Sequence, residues 1–257
     1  MISKELIEIF NRAAGLAREK KFEESLAEYD KILNPSKDAI KKRETEKIVM
    51  TGEFLGVAMM RKAWILMDLK RYKEAKEIFE DKVMEACLGQ FDMETLYDYF
   101  FSYGNTLGDL GDIKGMDEKL SRALVIASEK LSDRERCFNC WSNLLTLGLK
   151  FEDWEYLEKE SISARTFAEN SGDTVLHVKA DWHHALALKG LGRTLEAKEE
   201  AQVLLTLLKQ VGADEAAKDV EEMLKEVGDS TDKKEKKEKQ KTKKSEKGKG
   251  TRTRKKS

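Results

Sequence analysis

Five short segments interrupt an otherwise continuous helical pattern, and their spacing constrains the fold more than any other feature of the sequence. Each brings a helix breaker or charged residues up to one marker residue, after which a new amphipathic run begins. The markers are Phe22 after two lysines, Tyr72 after Lys70 and Arg71, Ile113 after Gly111 and Asp112, Trp154 after Glu152 and Asp153, and Thr194 after Gly192 and Arg193. They stand 50, 41, 41 and 40 residues apart. A nearly fixed period of this size marks stacked supersecondary units, each with an apolar face that only a neighbouring unit can bury.

The residues around each marker repeat as well. Nine positions upstream stand Ala13, Ala63, Gly104, Leu145 and Ala185, mostly small side chains that let helices approach. Three positions downstream come Ser25, Ala75, Met116, Leu157 and Ala197, and four further on Tyr29, Phe79, Leu120, Ser161 and Ala201. The i, i+4 spacing puts each of these pairs on one helical face. A single proline, Pro35, and 38% charged residues suit long helices with one wet side.

This pattern resembles the tetratricopeptide repeat (TPR), a helical hairpin with small residues at the close helix contacts and large ones between them. The segment RYKEAKEIFE at Arg71 to Glu80 carries the family's turn aromatic, Glu, Ala and Phe in sequence, and KFEESLAEYD at Lys21 to Asp30 and GRTLEAKEEA at Gly192 to Ala201 follow it less fully. Met116, Leu157 and Ser161 depart from the pattern. The likeness covers residues 3 to about 211. It implies an all-α, right-handed α-solenoid of about five helical hairpins. The period exceeds the roughly 34 residues usual for the family, which points to longer helices or longer connections.

Local signals place the boundaries. Ser132 with Glu135 suits a capping box, Asp92 and Asp173 suit N-caps, and Gly111, Gly172 and Gly192 suit helix stops. The wider 50-residue step is accounted for by one extended helix over Asp38 to Arg61, where Ile40, Ile48, Leu55 and Met59 recur among charges. Residues Ala213 to Val227, with Ala216, Ala217, Val220, Met223 and Leu224, read as a capping helix on the last repeat. The repeat domain is thus expected over residues 1–228, with a disordered lysine-rich tail over 229–257.

In this family the first helices of the hairpins line a surface that holds extended or helical peptides. The resemblance therefore nominates Phe10, Met60, Trp64, Phe101, Asn105, Trp182 and Lys189, with Ala14, Ser142 and Thr146 beside them, as a peptide-binding groove. The competing assignment for any one aromatic is packing against neighbouring helices. Some members of the family clamp a partner's terminal carboxylate with Lys, Asn and Arg. Here Phe101, Ala14 and Trp64 occupy places where such a clamp would carry polar groups, so chaperone-tail binding is not expected.

Catalysis finds little support. Cys137 and Cys140 form one Cys-x-x-Cys pair on a predicted helix with no second pair at zinc spacing, so they read as small buried hydrophobes. His177 and His184 are seven residues apart, about 10 Å along a helix, too far to share an ion. There is no nucleophile elbow and no phosphate loop. Neither a cofactor nor a metal is called for, and the chain reads as a noncatalytic scaffold or adaptor that binds a peptide or protein.

Glu5 and Glu8 break the apolar stretch a secretory leader would need, and no transmembrane segment is expected. Three cysteines are too few for a disulfide framework, so the reading is cytoplasmic. Net charge is unevenly spread: residues 229–257 hold 14 Lys and Arg against 5 Asp and Glu, which leaves 34 against 44 in residues 1–228. The tail is devoid of aliphatic and aromatic residues and cannot offset the entropy of ordering. It suits a tether with weak, salt-sensitive nucleic-acid or acidic-surface binding, and the alternative reading of the whole chain is a nucleic-acid- or ribosome-associated factor acting through this basic tail.

Overall fold

Each of the five markers opens a helix. The structure, a computed structural model, describes residues 2–45 and 50–228, over 42–45 as backbone alone. In chain order α1 (Lys4–Arg18) and α2 (Phe22–Leu33) form the first hairpin, and α3 (Lys37–Thr45) follows. The second hairpin is α4 (Gly52–Asp68) and α5 (Tyr72–Phe79), trailed by α6 (Lys82–Cys87) and a 3-10 turn at Leu88–Gln90. Next come α7 (Met93–Asp109), α8 (Ile113–Val125), a π turn at Ile126–Leu131 and α9 (Arg134–Lys150). The series ends with α10 (Trp154–Ser171), α11 (Thr174–Gly190), α12 (Thr194–Gln210) and α13 (214–228). Among the described residues there is no strand.

One turn geometry recurs ahead of α2, α5, α8, α10 and α12. Two residues before each marker the backbone is left-handed, at Lys20, Lys70, Gly111, Glu152 and Gly192, with φ between 53° and 84°. The next amide then reaches back five residues, as in Arg71 N to the Leu66 carbonyl at 2.8 Å and Arg193 N to that of Leu188 at 2.9 Å. Carbonyls that the helix end would otherwise leave bare are satisfied in this way. Gly172 and Gly212, with φ of 69° and 73°, repeat the left-handed stop before α11 and α13.

The opposite helix ends are closed by side chains. Ser3, Thr51, Asp92 and Asp173 accept from amides three residues on, at 2.7 to 3.2 Å. Such a cap stabilises a helix by about 1 kcal/mol. Before α9 the cap is Asp133, which accepts from Arg136 N at 3.0 Å, and not Ser132, which is itself left-handed at φ 52°. The predicted helix from Asp38 to Arg61 is likewise corrected, its Ile48 lying outside the described residues. Thr51 is extended at ψ 150° and starts α4 afresh, so the long step contains the separate α3.

The repeated small and large positions are all core. Ala13, Ala63, Leu145 and Ala185 are fully buried, and so are Ala75, Met116, Leu157 and Ala197. Tyr29, Phe79, Leu120, Ser161 and Ala201 join them. Ser25 is buried without penalty because its hydroxyl donates to the Ala13 carbonyl at 2.7 Å, tying α2 to α1. A Cβ on Gly104 of α7 would lie 2.8 Å from Leu120 Cγ, so only glycine lets α8 come this near.

The chain divides into two compact units, the boundary falling after Leu147. In the first, α4 packs against α1, α2, α5, α6, α7 and the 3-10 turn, and seven of its residues are buried. In the second, α10 packs on α11 and α11 on α12, and Ala217, Val220, Met223 and Val227 of α13 close a cluster with Leu188, Leu204 and Leu208. The predicted cap is therefore present, although Ala216 faces solvent instead of core. The tail of residues 229–257 lies outside the described residues.

Candidate functional site

In the first unit, side-chain pairs link the first helix of each hairpin to the next. Phe10 of α1 stands 5.5 Å from Phe54 of α4 between ring centroids, and edge-on to Tyr29 at 5.6 Å. The indole of Trp64 on α4 donates to Ser102 Oγ on α7 at 2.7 Å. Asn143 of α9 donates through its amide to Asn105 Oδ1 of α7 at 2.9 Å. Phe101 stacks on Tyr97 at 5.4 Å, and Tyr97 donates to the Arg136 carbonyl at 3.2 Å. Most of these side chains are held at both ends, by a ring contact or hydrogen bond on one side and their own helix on the other.

Phe10 and Trp64 meet at one concavity of about 350 Å³, floored by Tyr29 and rimmed by Arg18, Arg61 and Asp68. The volume is that of a small ligand site. Arg61 sits over the Trp64 ring at 4.5 Å, a cation–π arrangement that fixes both side chains. Burial pushes the Tyr29 hydroxyl above its ordinary pKa. Asp98, also on α7, is held above the usual carboxylate range by burial, against the opposing pull of Arg136 and Arg61.

The other nominated residues fare differently. Met60 is only 2% exposed and is a core residue of α4, so it is withdrawn from the groove. Asn105 and Phe101 are half-buried on α7. In the second unit, Trp182 packs against the α11–α13 cluster while staying half-buried, and Lys189 is paired with Glu226 of α13. Of Ser142 and Thr146, the latter donates to the former's carbonyl at 2.7 Å within α9. Arg18 and Arg61 were not nominated. Their spacing was the available signal, since Arg18 follows Phe10 by two helical turns and Arg61 precedes Trp64 by one.

The second unit carries a polar cluster between α10, α11 and α12. Arg165 Nε lies 2.6 Å from Asp181 Oδ1, and its Nη2 lies 3.1 Å from Glu200 Oε2 and 3.2 Å from His184 Nδ1. His184 and His183 are buried, and His183 donates to the Lys179 carbonyl at 2.7 Å. His177 stands 3.6 Å from Asp181. Among the described residues no group of three or more His, Cys, Asp or Glu could hold a metal ion. Cys87, Cys137 and Cys140 are free and buried, and burial pushes the Cys140 thiol up to about 12.

No family model matches the sequence, and no curated protein matches it. Solved structures do. The apo form of RapI has 11% identity and a TM-score of 0.61, the match covering 90% of this chain and 72% of that one. The TPR-like repeats of a putative kinesin light chain from Podosopora anserina have 13% identity and a TM-score of 0.53, covering 80% of this chain and 96% of that one. Likeness at these identities is a likeness of fold. The fold is that of a tetratricopeptide-type repeat protein, all-α and built from consecutive hairpins. Among the described residues no helix is long and apolar enough to cross a membrane.

Proposed function

We propose that the chain is a noncatalytic interaction scaffold whose first unit holds a peptide or protein segment along α1, α4 and α7. One observation carries this reading: Phe10 and Trp64 line an open concavity of about 350 Å³ and are left half-buried by the described chain. Half-buried aromatics fixed by their neighbours lose little entropy when a partner covers them, and this makes them good anchors. Phe101 and Asn105 on α7 extend the surface, and Trp182 of the second unit offers a separate contact. The repeat domain spans residues 1–228, acts in a reducing, cytoplasmic setting and uses no cofactor.

The test is affinity for peptides selected from a displayed random library on the full chain. Trp64→Ala should weaken binding by about 2 kcal/mol, roughly thirtyfold, with the circular dichroism spectrum unchanged. Retained affinity in the folded variant would remove the groove from consideration. The net charge of the tail, 14 basic against 5 acidic residues, favours a second, weaker role as an electrostatic arm over 229–257. Equal shifts of RNA at low salt by full-length and tail-deleted protein would refute that role.

A further inference from the structure

Several cations of the first unit are matched to carboxylates, among them four arginines, Arg12, Arg71, Arg122 and Arg136. Arg12 and Lys31 meet Glu28, Lys62 meets Asp30, Arg71 meets Glu23 and Glu74, and Arg136 meets Glu94 and Asp133, each pair within 4.0 Å. Arg18 and Arg61 form no such pair among the described residues. Asp68 lines the same cavity yet pairs with neither, and Asp98, whose carboxyl is influenced by Arg61, stands beyond ion-pair distance. In a body with 44 acidic residues against 34 basic ones, two unmatched arginines on one pocket rim are a local reversal of charge.

The two have separate reasons to stay in place. Arg18 lies in the last turn of α1, where the exposed carbonyl end favours a cation. Arg61 is laid over the Trp64 indole at 4.5 Å, and that indole is itself anchored to Ser102. The guanidinium is thus oriented before any ligand arrives, and its planar donor fork fits a carboxylate. Beneath the rim the walls are the rings of Phe10, Tyr29 and Trp64.

We infer that this pocket takes an apolar side chain of a partner peptide whose near neighbour is Asp or Glu, the apolar group meeting the rings and the carboxylate meeting Arg61 and Arg18. The partner class is therefore an acidic amphipathic segment, and this rests on the groove reading above. The carboxylate concerned belongs to a side chain, so a free chain end is not required.

The experiment is selection of random peptides displayed internally in a carrier, without a free C-terminus, on the full-length protein. Enriched peptides should place Asp or Glu within one helical turn of Leu, Ile, Phe, Met or Trp. For one such peptide, followed by fluorescence anisotropy, Arg61→Gln should weaken binding about tenfold, as should replacing the peptide's Glu by Gln, and the two changes together should cost little more than either alone. Arg18→Gln should act in the same direction. Enriched peptides without acidic bias, unaffected by both arginine variants but lost with Trp64→Ala, would overturn the acidic class and leave the groove standing. Peptides indifferent to Trp64→Ala as well, or no enrichment at all, would overturn both.

Discussion

The two units answer the same repeat with different materials. In residues 1–147 the core is ring-rich: Phe79 stacks on Tyr103 at 5.3 Å and meets Tyr99 edge-on at 5.7 Å, and Phe10, Tyr29 and Phe54 form a second group. The surplus over a standard repeat goes into added pieces, α3, α6 and the 3-10 and π turns. From Gly148 onward the core is mostly alanine and leucine, and the surplus goes into the second helices of the hairpins, 18 residues in α10 and 17 in α12 against 12, 8 and 13 in α2, α5 and α8. Small side chains permit close, regular contacts between long helices, whereas rings hold helices apart and leave gaps that short elements must fill or a ligand can enter. The Phe10–Trp64 concavity belongs to the ring-rich unit.

The sharpest way to break this contrast is to empty the aromatic core. Phe79→Ala removes a ring that is 2% exposed and should cost about 3–5 kcal/mol. Hydrogen exchange should show α5, α7 and α8 losing protection while α11 and α12 keep theirs. Equal loss across both units would mean that the difference in packing has no energetic boundary.

The hairpin frame was legible because it is written in local chemistry. Phe22, Tyr72, Ile113, Trp154 and Thr194 each begin a helix because the residue two places earlier can turn left-handed, and the buried positions follow at helical spacing. The site was less legible. Met60 precedes Trp64 by four residues and shares its face in a bare helix, but α4 is enclosed by the added α6 and 3-10 turn, which a two-helix repeat does not foresee. Periodicity through Ile48 and Leu55 suggested one helix because it is blind to a cap such as Thr51. Arg18 and Arg61 were hidden among the charges of a chain that is 38% charged, since an unpaired cation and a paired one look alike in sequence.

The turns offer a smaller effect with opposite signs. Lys20 and Lys70 of the first unit and Glu152 of the second are left-handed without being glycine, whereas Gly192 and Gly212 carry the same geometry freely. A side chain there costs about 1–2 kcal/mol, partly offset by the greater freedom glycine brings to the unfolded chain. Lys70→Gly should therefore raise stability by about 0.5–1 kcal/mol in urea unfolding, and Gly192→Ala should lower it by about 1 kcal/mol. Because three of the four non-glycine left-handed residues, Lys20, Lys70 and Ser132, lie in the first unit, glycine there should narrow any gap in stability between the units.

The smallest expected difference is in response to pH, where one buried group in each unit, Asp98 in the first and His183 in the second, is shifted in the opposite direction. Burial holds the Asp98 carboxyl above its ordinary range, with Arg136 and Arg61 pulling the other way and Glu94 and Asp92 adding to the rise. The folded first unit therefore keeps that proton more tightly than the unfolded chain does, and this contribution to stability is present at low pH and lost as pH rises through the native value. Burial does the reverse to His183, holding it below its ordinary 6.5, so the contribution of this group is present above that value and lost as pH falls from there through the lower native value. Asp98→Asn should stabilise more at neutral pH than near pH 4, and His183→Gln should protect more below pH 6.5 than above it. Thermal unfolding of each variant across this range provides the measurement. Parallel curves for variant and parent at every pH would mean that neither group titrates differently in the folded chain, and the electrostatic half of the contrast between the units would go with them.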